Sequence, residues 1–198
     1  MSTRGFLGFV IDGQEKIAYN HSDSYPEHLG VNVLGWARFA ATNLDKVREL
    51  AVALRVVSDN DQPTDKDIER LAQFHNPGVG DRTDRPTWYQ LLRETQGSPA
   101  AVLQAGALED ASGFPADSLF AEWGYIVDLD AQTFEVYQGF QKERHDKGRF
   151  ASRPFDDKPS ASGDTYYPVA LTASWPLKDL PSGEDFVGAF YSAEDDDE

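Results

Sequence analysis

Eight consecutive residues, Tyr19-Asn20-His21-Ser22-Asp23-Ser24-Tyr25-Pro26, set an imidazole, a carboxylate, an amide, two hydroxyls and two phenols side by side. The imidazole titrates close to neutrality, which suits it to acid and base work. Along an extended segment side chains alternate, so His21 and Asp23 would point the same way and form an acid/base pair or offer two ligands to a metal. A metal needs three or four ligands, and His28, His75 and His145 lie in separate segments without ligand spacing, so no metal is expected. The same residues also suit a purely local task, with His21 and Asp23 bonding the turn that Tyr25-Pro26 begins and Asn20 satisfying backbone groups.

A second group of atoms with chemical potential lies at the start of the chain. If Met1 is removed, as is usual before a small residue, Ser2 carries a hydroxyl and a free α-amino group. The amine's ordinary pKa lies near neutrality, so nucleophile and base would come in one residue.

These groups need a frame. Phe6 to Ile11 is rich in aromatic and β-branched residues, Asp12-Gly13 supplies a two-residue primed turn, and Lys16 to Tyr19 resumes the extended pattern, so a β-hairpin is predicted. The polar stretch follows directly, where a rigid strand runs out into a loop. Gly5 and Gly8 would let another backbone or a ligand approach the first strand, or would mark a bulge. From Val31 to Val57 the apolar spacing is helical, with Trp36, Phe39 and Ala40 on one face, then Val47, Leu50, Ala51 and Leu54. Thr42-Asn43 either starts a second helix or lies within one long one.

Pro63-Thr64 reads as a helix N-cap ahead of Ile68 and Leu71, and Asp84-Arg85-Pro86 as the start of a helix with Trp88, Leu91 and Leu92 inward. Ser98-Pro99 begins a short helix that Gly106 ends. A second hairpin has Trp123, Tyr125 and Val127 on one side, a turn at 128–132 and a return through Phe134 and Val136. Residues 142–164 are polar and aperiodic, a lid or a disordered loop, and concentrate six of the eighteen basic residues. A last strand alternates through Tyr167, Val169, Leu171, Ala173 and Trp175, and Phe186, Phe190 and Tyr191 pin the C-terminal extension to the body. The order implies an α+β fold: a mainly antiparallel sheet from N-terminal and C-terminal hairpins, with a central helical block. Residues 1–192 form a single domain and residues 193–198 a disordered acidic tail.

The hairpin with its polar loop resembles the opening of N-terminal-nucleophile (Ntn) hydrolases. Asn20 to Asp23 is similar to the Asn-containing loop after the first hairpin in bile-salt-hydrolase-type acylases and in NRDE-motif proteins. The resemblance implies an Ntn-hydrolase-like fold and hydrolysis of an amide or acyl substrate. By it Ser2 is the nucleophile, Arg4 or Asn20 polarises the acyl oxygen, Asp23 orients the amine, His21 belongs to the same catalytic group, and Ser24 and Tyr25 bind substrate. The acylases use Cys where this chain offers Ser2, and the NRDE loop carries Arg-Asp-Glu where this chain has His21-Ser22-Asp23. Thr3-Arg4-Gly5, with the Tyr19 to Pro26 stretch and Leu29-Gly30, resembles a group of phage, bacterial and fungal proteins that brings no activity with it.

Composition excludes several classes. The 198 residues include no Cys, so disulfides, thiolate metal sites and a cysteine nucleophile are ruled out. A net charge of −16 repels phosphate backbones and anionic membranes, so neither nucleic acid nor membrane is expected as a partner. Gly78-Val79-Gly80 lacks the strand and helix of a nucleotide site, and no cofactor is implied. No signal pattern or long apolar run is present, which implies a cytoplasmic protein. Two functions fit: an Ntn-type hydrolase with a small-molecule substrate, or a non-enzymatic, acidic, phage-related protein that binds or inhibits a protein partner.

Overall fold

The structure, a computed structural model, describes residues 3–191. Strand β1 (Gly5–Ile11) is buried at all seven positions, and β2 (Gln14–Asn20) returns beside it from the Asp12-Gly13 turn. Both turn residues have positive φ, 52° and 71°, the twist that a two-residue hairpin loop requires. The helical block then comprises α1 (Val31–Thr42) and α2 (Leu44–Ala53). Asn43 breaks the helix with φ −132° and returns its amide to the Phe39 carbonyl, so Thr42-Asn43 separates two helices.

The helical pattern stops earlier than its spacing suggests. Arg55–Val57 is strand β3. After α3 (Asp65–Arg70), α4 (Trp88–Leu91) and α5 (Pro99–Ala105), strand β4 (Ala107–Glu109) pairs with it in parallel, Val57 opposite Glu109. Caps explain the helix starts. Thr64 and Asp67 form a reciprocal capping box, Thr87 and Gln90 form another, and Ser98 accepts from the Ala101 N–H. The Thr87 cap places the start of α4 after Pro86, later than the sequence reading had it.

The main sheet is completed by β5 (Trp123–Asp128), β6 (Thr133–Gln138) and β7 (Ala170–Pro176), in the order β2-β1-β5-β6-β7. Within it β1 and β5 run parallel and every other neighbour is antiparallel, so the α+β, mainly antiparallel architecture holds. The β1 register is continuous on both sides, so neither Gly5 nor Gly8 marks a bulge.

Alternation divides the sheet's side chains between two cores. On one face Leu7, Phe9, Tyr125, Val127 and Phe134 meet Leu34, Ala37 and Ala40 of α1 and Phe186 of the final helix α6 (Gly183–Tyr191). The C-terminal extension is thus pinned as a helix, through a fully buried Phe186 that packs on Phe134 and Trp175. Phe39 and Leu50, expected inward, are 55% and 37% exposed. The stripe through Val33, Trp36, Ala37 and Ala40 is already wide enough to cover α1's share of the sheet.

On the opposite face Phe6, Val10, Ile17, Ile126 and Tyr137 are covered by the polar segment after β6, which inserts Phe150 and Val169. Phe150 stands edge-on to Phe6 and Tyr137, with ring centroids 5.6 and 4.7 Å away. Burying one such ring contributes about 2–3 kcal/mol. Beside it Arg149 donates to both oxygens of Glu135 at 2.8 and 2.9 Å and to Asp128, and Arg153 pairs with Glu15. The segment is therefore an ordered cover on the sheet's second face. Among the described residues no helix is long and apolar enough to cross a membrane.

Candidate functional site

Strand β2 ends at the sheet's edge, where its last residues turn toward the helical block. Period-two alternation separates their roles: Tyr19 and His21 project to one side, and the Asn20 side chain is buried on the other. The Tyr19 hydroxyl lies 3.2 Å from His21 Nδ1, within reach of a hydrogen bond. Burial pushes the Tyr19 phenol up from its ordinary range, and the Arg4 guanidinium bonded to it opposes that shift. At neutral pH the phenol thus keeps its proton and can donate it to His21, while Arg4 donates to the phenol and holds it in place. Arg4 is placed by its own N–H, which donates to Glu122 Oε1 at 3.3 Å, and by stacking of its guanidinium over Phe120.

Asn20 holds the following turn. Its Nδ2 donates to the Ser22 carbonyl at 2.6 Å and to Ser24 Oγ at 2.8 Å. Ser24 is fully buried, its N–H donates to the Thr3 carbonyl, and its own carbonyl accepts from the Tyr125 hydroxyl. Gly5 makes this possible: a Cβ there would lie 2.6 Å from Ser24 Cβ and 2.3 Å from the Trp123 carbonyl. The first strand and the turn are thereby clamped together.

Asp23 takes φ 56°, which ends the extended run that was to carry its side chain alongside that of His21. It is exposed, as is Tyr25. Ser24, expected to touch substrate, is committed to the turn and influences a ligand only through it. Asn20 likewise spends its amide donors internally, and the other proposed acyl-oxygen polariser, Arg4, has its guanidinium bonded to Tyr19 and laid over Phe120. Ser2 and residues 193–198 lie outside the described residues.

The site has contributors that motif reading missed. Gln96 Oε1 accepts from the His21 N–H at 3.0 Å and from Arg93 Nη1 at 2.6 Å. Gln96 also forms the wall between two clefts. One, of about 410 Å³, is polar and contains Asn20, Ser22, Asp23, His28, Asn32 and Arg93. The other, of about 320 Å³, contains Tyr19, Tyr89, Leu92, Asp59, Glu109 and Asp110. Glu109 ends β4 and Asp59 follows β3, so the carboxyl ends of two parallel strands bring these acids to one mouth. Burial pushes the Glu109 carboxyl up, and the charge of Asp59 adds to it.

Glu109 follows apolar Ala107-Leu108, and an acid at the end of an apolar run was the available signal for it. Gln96 and Arg93 carried none. Among the described residues no group of three or more His, Asp or Glu converges as a metal site would require. The arrangement offers a proton-carrying phenol and imidazole, guanidinium and amide donors, and two adjoining clefts of small-molecule size. No family model, curated protein or solved structure matches the chain.

Proposed function

We propose that the protein is a small cytoplasmic hydrolase of N-terminal-nucleophile type that cleaves an amide or related acyl substrate held beside the end of β2. The observation that carries this reading is the Tyr19 phenol, which lines one of the two clefts and stands between Arg4 and His21 on a strand end fixed to the start of β1 through the Thr3–Ser24 backbone bond. Attack by the Ser2 hydroxyl, with its own amine as base, forms a tetrahedral oxyanion, and the Arg4 guanidinium stabilises that charge. Tyr19 and His21 then protonate the leaving group as the carbonyl re-forms and the scissile bond breaks. They recover that proton from the water that attacks next, while the amine gives its proton back to the departing Ser2 oxygen. Water attacks the acyl enzyme in the second half of the cycle and frees Ser2.

The test is turnover of a panel of amide and ester substrates by protein whose N-terminus is Ser2. Ser2→Ala is expected to lower kcat by at least about a thousandfold, and Arg4→Ala by about a hundredfold, both without loss of fold. Equal turnover by wild type and Ser2→Ala would sink the reading.

A second reading is a non-enzymatic, acidic, phage-related protein that binds or inhibits another protein. It draws on Phe39 and Val52, 55% and 54% exposed on the outer sides of α1 and α2. Capture of a partner that Phe39→Ser abolishes, with no turnover of any substrate, would favour it.

A further inference from the structure

Helix α2 ends without a glycine cap. The carbonyls of a helix's last turn lack partners within it, no glycine follows Ala53 to turn the chain back, and Leu54 passes straight into β3 with φ −64° and ψ 115°. The missing cap comes from another element. Lys16 of β2, 7% exposed, donates through Nζ to the carbonyls of Ala51, Val52 and Leu54 at 2.8, 3.0 and 2.7 Å. An ammonium has three protons and no lone pair, so these acceptors use its hydrogen-bonding capacity in full. A cation is also the group that the negative end of a helix favours.

The place of this contact gives it a second consequence. Strand β3 starts at Arg55, directly after Leu54, and its partner β4 ends in Glu109. The cleft that Tyr19 lines is shared between this strand pair and β2: Ala18 and Tyr19 come from β2, Leu108 and Glu109 from β4, and Asp59 from just beyond β3. Lys16 shares its face of β2 with Ala18, two residues on. It therefore fixes the start of the strand pair against the strand that carries Tyr19. Past the end of β4 the Ala111 N–H donates to the Ile17 carbonyl at 3.0 Å. The pair is thus held to β2 by a side chain where it begins and by backbone where it leaves.

We propose that Lys16 is a positioning residue for this cleft: by holding the end of α2, its ammonium sets where β3 starts and thereby how close the β3–β4 pair stands to Tyr19. That substrate enters the cleft rests on the hydrolase reading, whereas the positioning does not. A neutral side chain of similar length would fill the space and leave the carbonyls unanswered out of water, so the end of α2 would draw away until solvent reached them. Two groups report such a change. The Tyr19 phenol and the Glu109 carboxyl are both pushed up by burial, and both would move back toward their ordinary ranges as the strands part.

The experiment follows the Tyr19 and Glu109 titrations by NMR in the full chain. In Lys16→Met both are expected to shift toward their ordinary ranges, while the amide signals of β5 and β6 stay as in wild type. Because the chain has no Cys, Lys16→Cys can be alkylated at that position alone while unfolded and then refolded. Aminoethylation restores an ammonium at nearly the reach of lysine and is expected to return both titrations to the wild-type course. S-ethylation gives the same chain without the ammonium and is not. Recovery with the ammonium separates positioning by charge from filling of space. Lys16→Gln keeps two donors and is the milder variant should Lys16→Met not fold; it is expected to shift both groups the same way by less. Unchanged titrations in Lys16→Met, equal behaviour of the two alkylated forms, or loss of fold in Lys16→Met and Lys16→Gln alike would overturn the inference. Recovery as expected in a protein that turns over no acyl substrate would instead count against the hydrolase reading and leave this one standing.

Discussion

Two charged regions of this protein are built from the same residue types and end in opposite states. On the sheet's second face, Arg149 and Arg153 answer Asp128, Glu135 and Glu15, and Phe150 seals the contact. In the cleft beside the end of β2, Glu109 is unanswered among the described residues, and no partner takes the NH₂ group of Gln96, a residue that lines both clefts. The first region uses its polar groups to fasten a long segment to the core. The second has polar groups that no protein partner answers among the described residues and that solvent reaches instead. The contrast separates charges that hold structure from polar groups left to solvent.

The largest effect expected from breaking it lies on the satisfied side. Phe150→Ala should cost about 3–5 kcal/mol in chemical denaturation, because it empties a fully buried ring position beneath the cover segment. Arg149→Met should cost about 3 kcal/mol, since it leaves the largely buried carboxylates of Asp128 and Glu135 without their cation. A cost below about 0.5 kcal/mol, the size of an ordinary surface change, would show the network to be surface decoration.

On the unsatisfied side the sign reverses, and the effect is smallest. Glu109 has its folded-state pKa raised by burial and by Asp59. The folded protein thus holds this proton more tightly than the unfolded chain does. The associated stability is present below the unfolded pKa and is lost as pH rises through the folded one. Glu109→Gln should therefore raise the melting temperature slightly at neutral pH, and the gain should fade as acidification protonates the wild-type carboxyl. A variant less stable than wild type at neutral pH would mean that Glu109 has a structural partner after all.

Much of the frame was legible because its signals are local. Asp12-Gly13, Thr64 with Asp67, and Ser98-Pro99 with Gly106 each specify a turn or cap from residues within a few positions of one another. The two hairpins followed from strict alternation. Strands β3 and β4 were hidden because each has three residues, too few to show a period, and they pair across the whole intervening helical block. Phe39 and Leu50 show the complementary error: periodicity tells which residues share a face and is silent on how much of that face the sheet covers.

The site divided along the same line. Tyr19 to Tyr25 drew attention through its density of functional groups, yet the fold allots those groups different tasks. Asn20 and Ser24 lock the turn, while the Tyr19 hydroxyl reaches His21 and is held by Arg4. Arg93, Gln96 and Glu109 reach the site only through the tertiary packing of the helical block against the edge of β2. The cover segment had left a hint in its two aromatic residues, Phe150 and Phe155, of which Phe150 is the one fully buried.

The central claim, a nucleophile at position 2, is tested most directly by intact mass and N-terminal sequencing of the natural protein, taken together with its turnover of acyl substrates. The account predicts that active protein begins at Ser2 with a free α-amino group. A fully active protein that retains Met1 would contradict it.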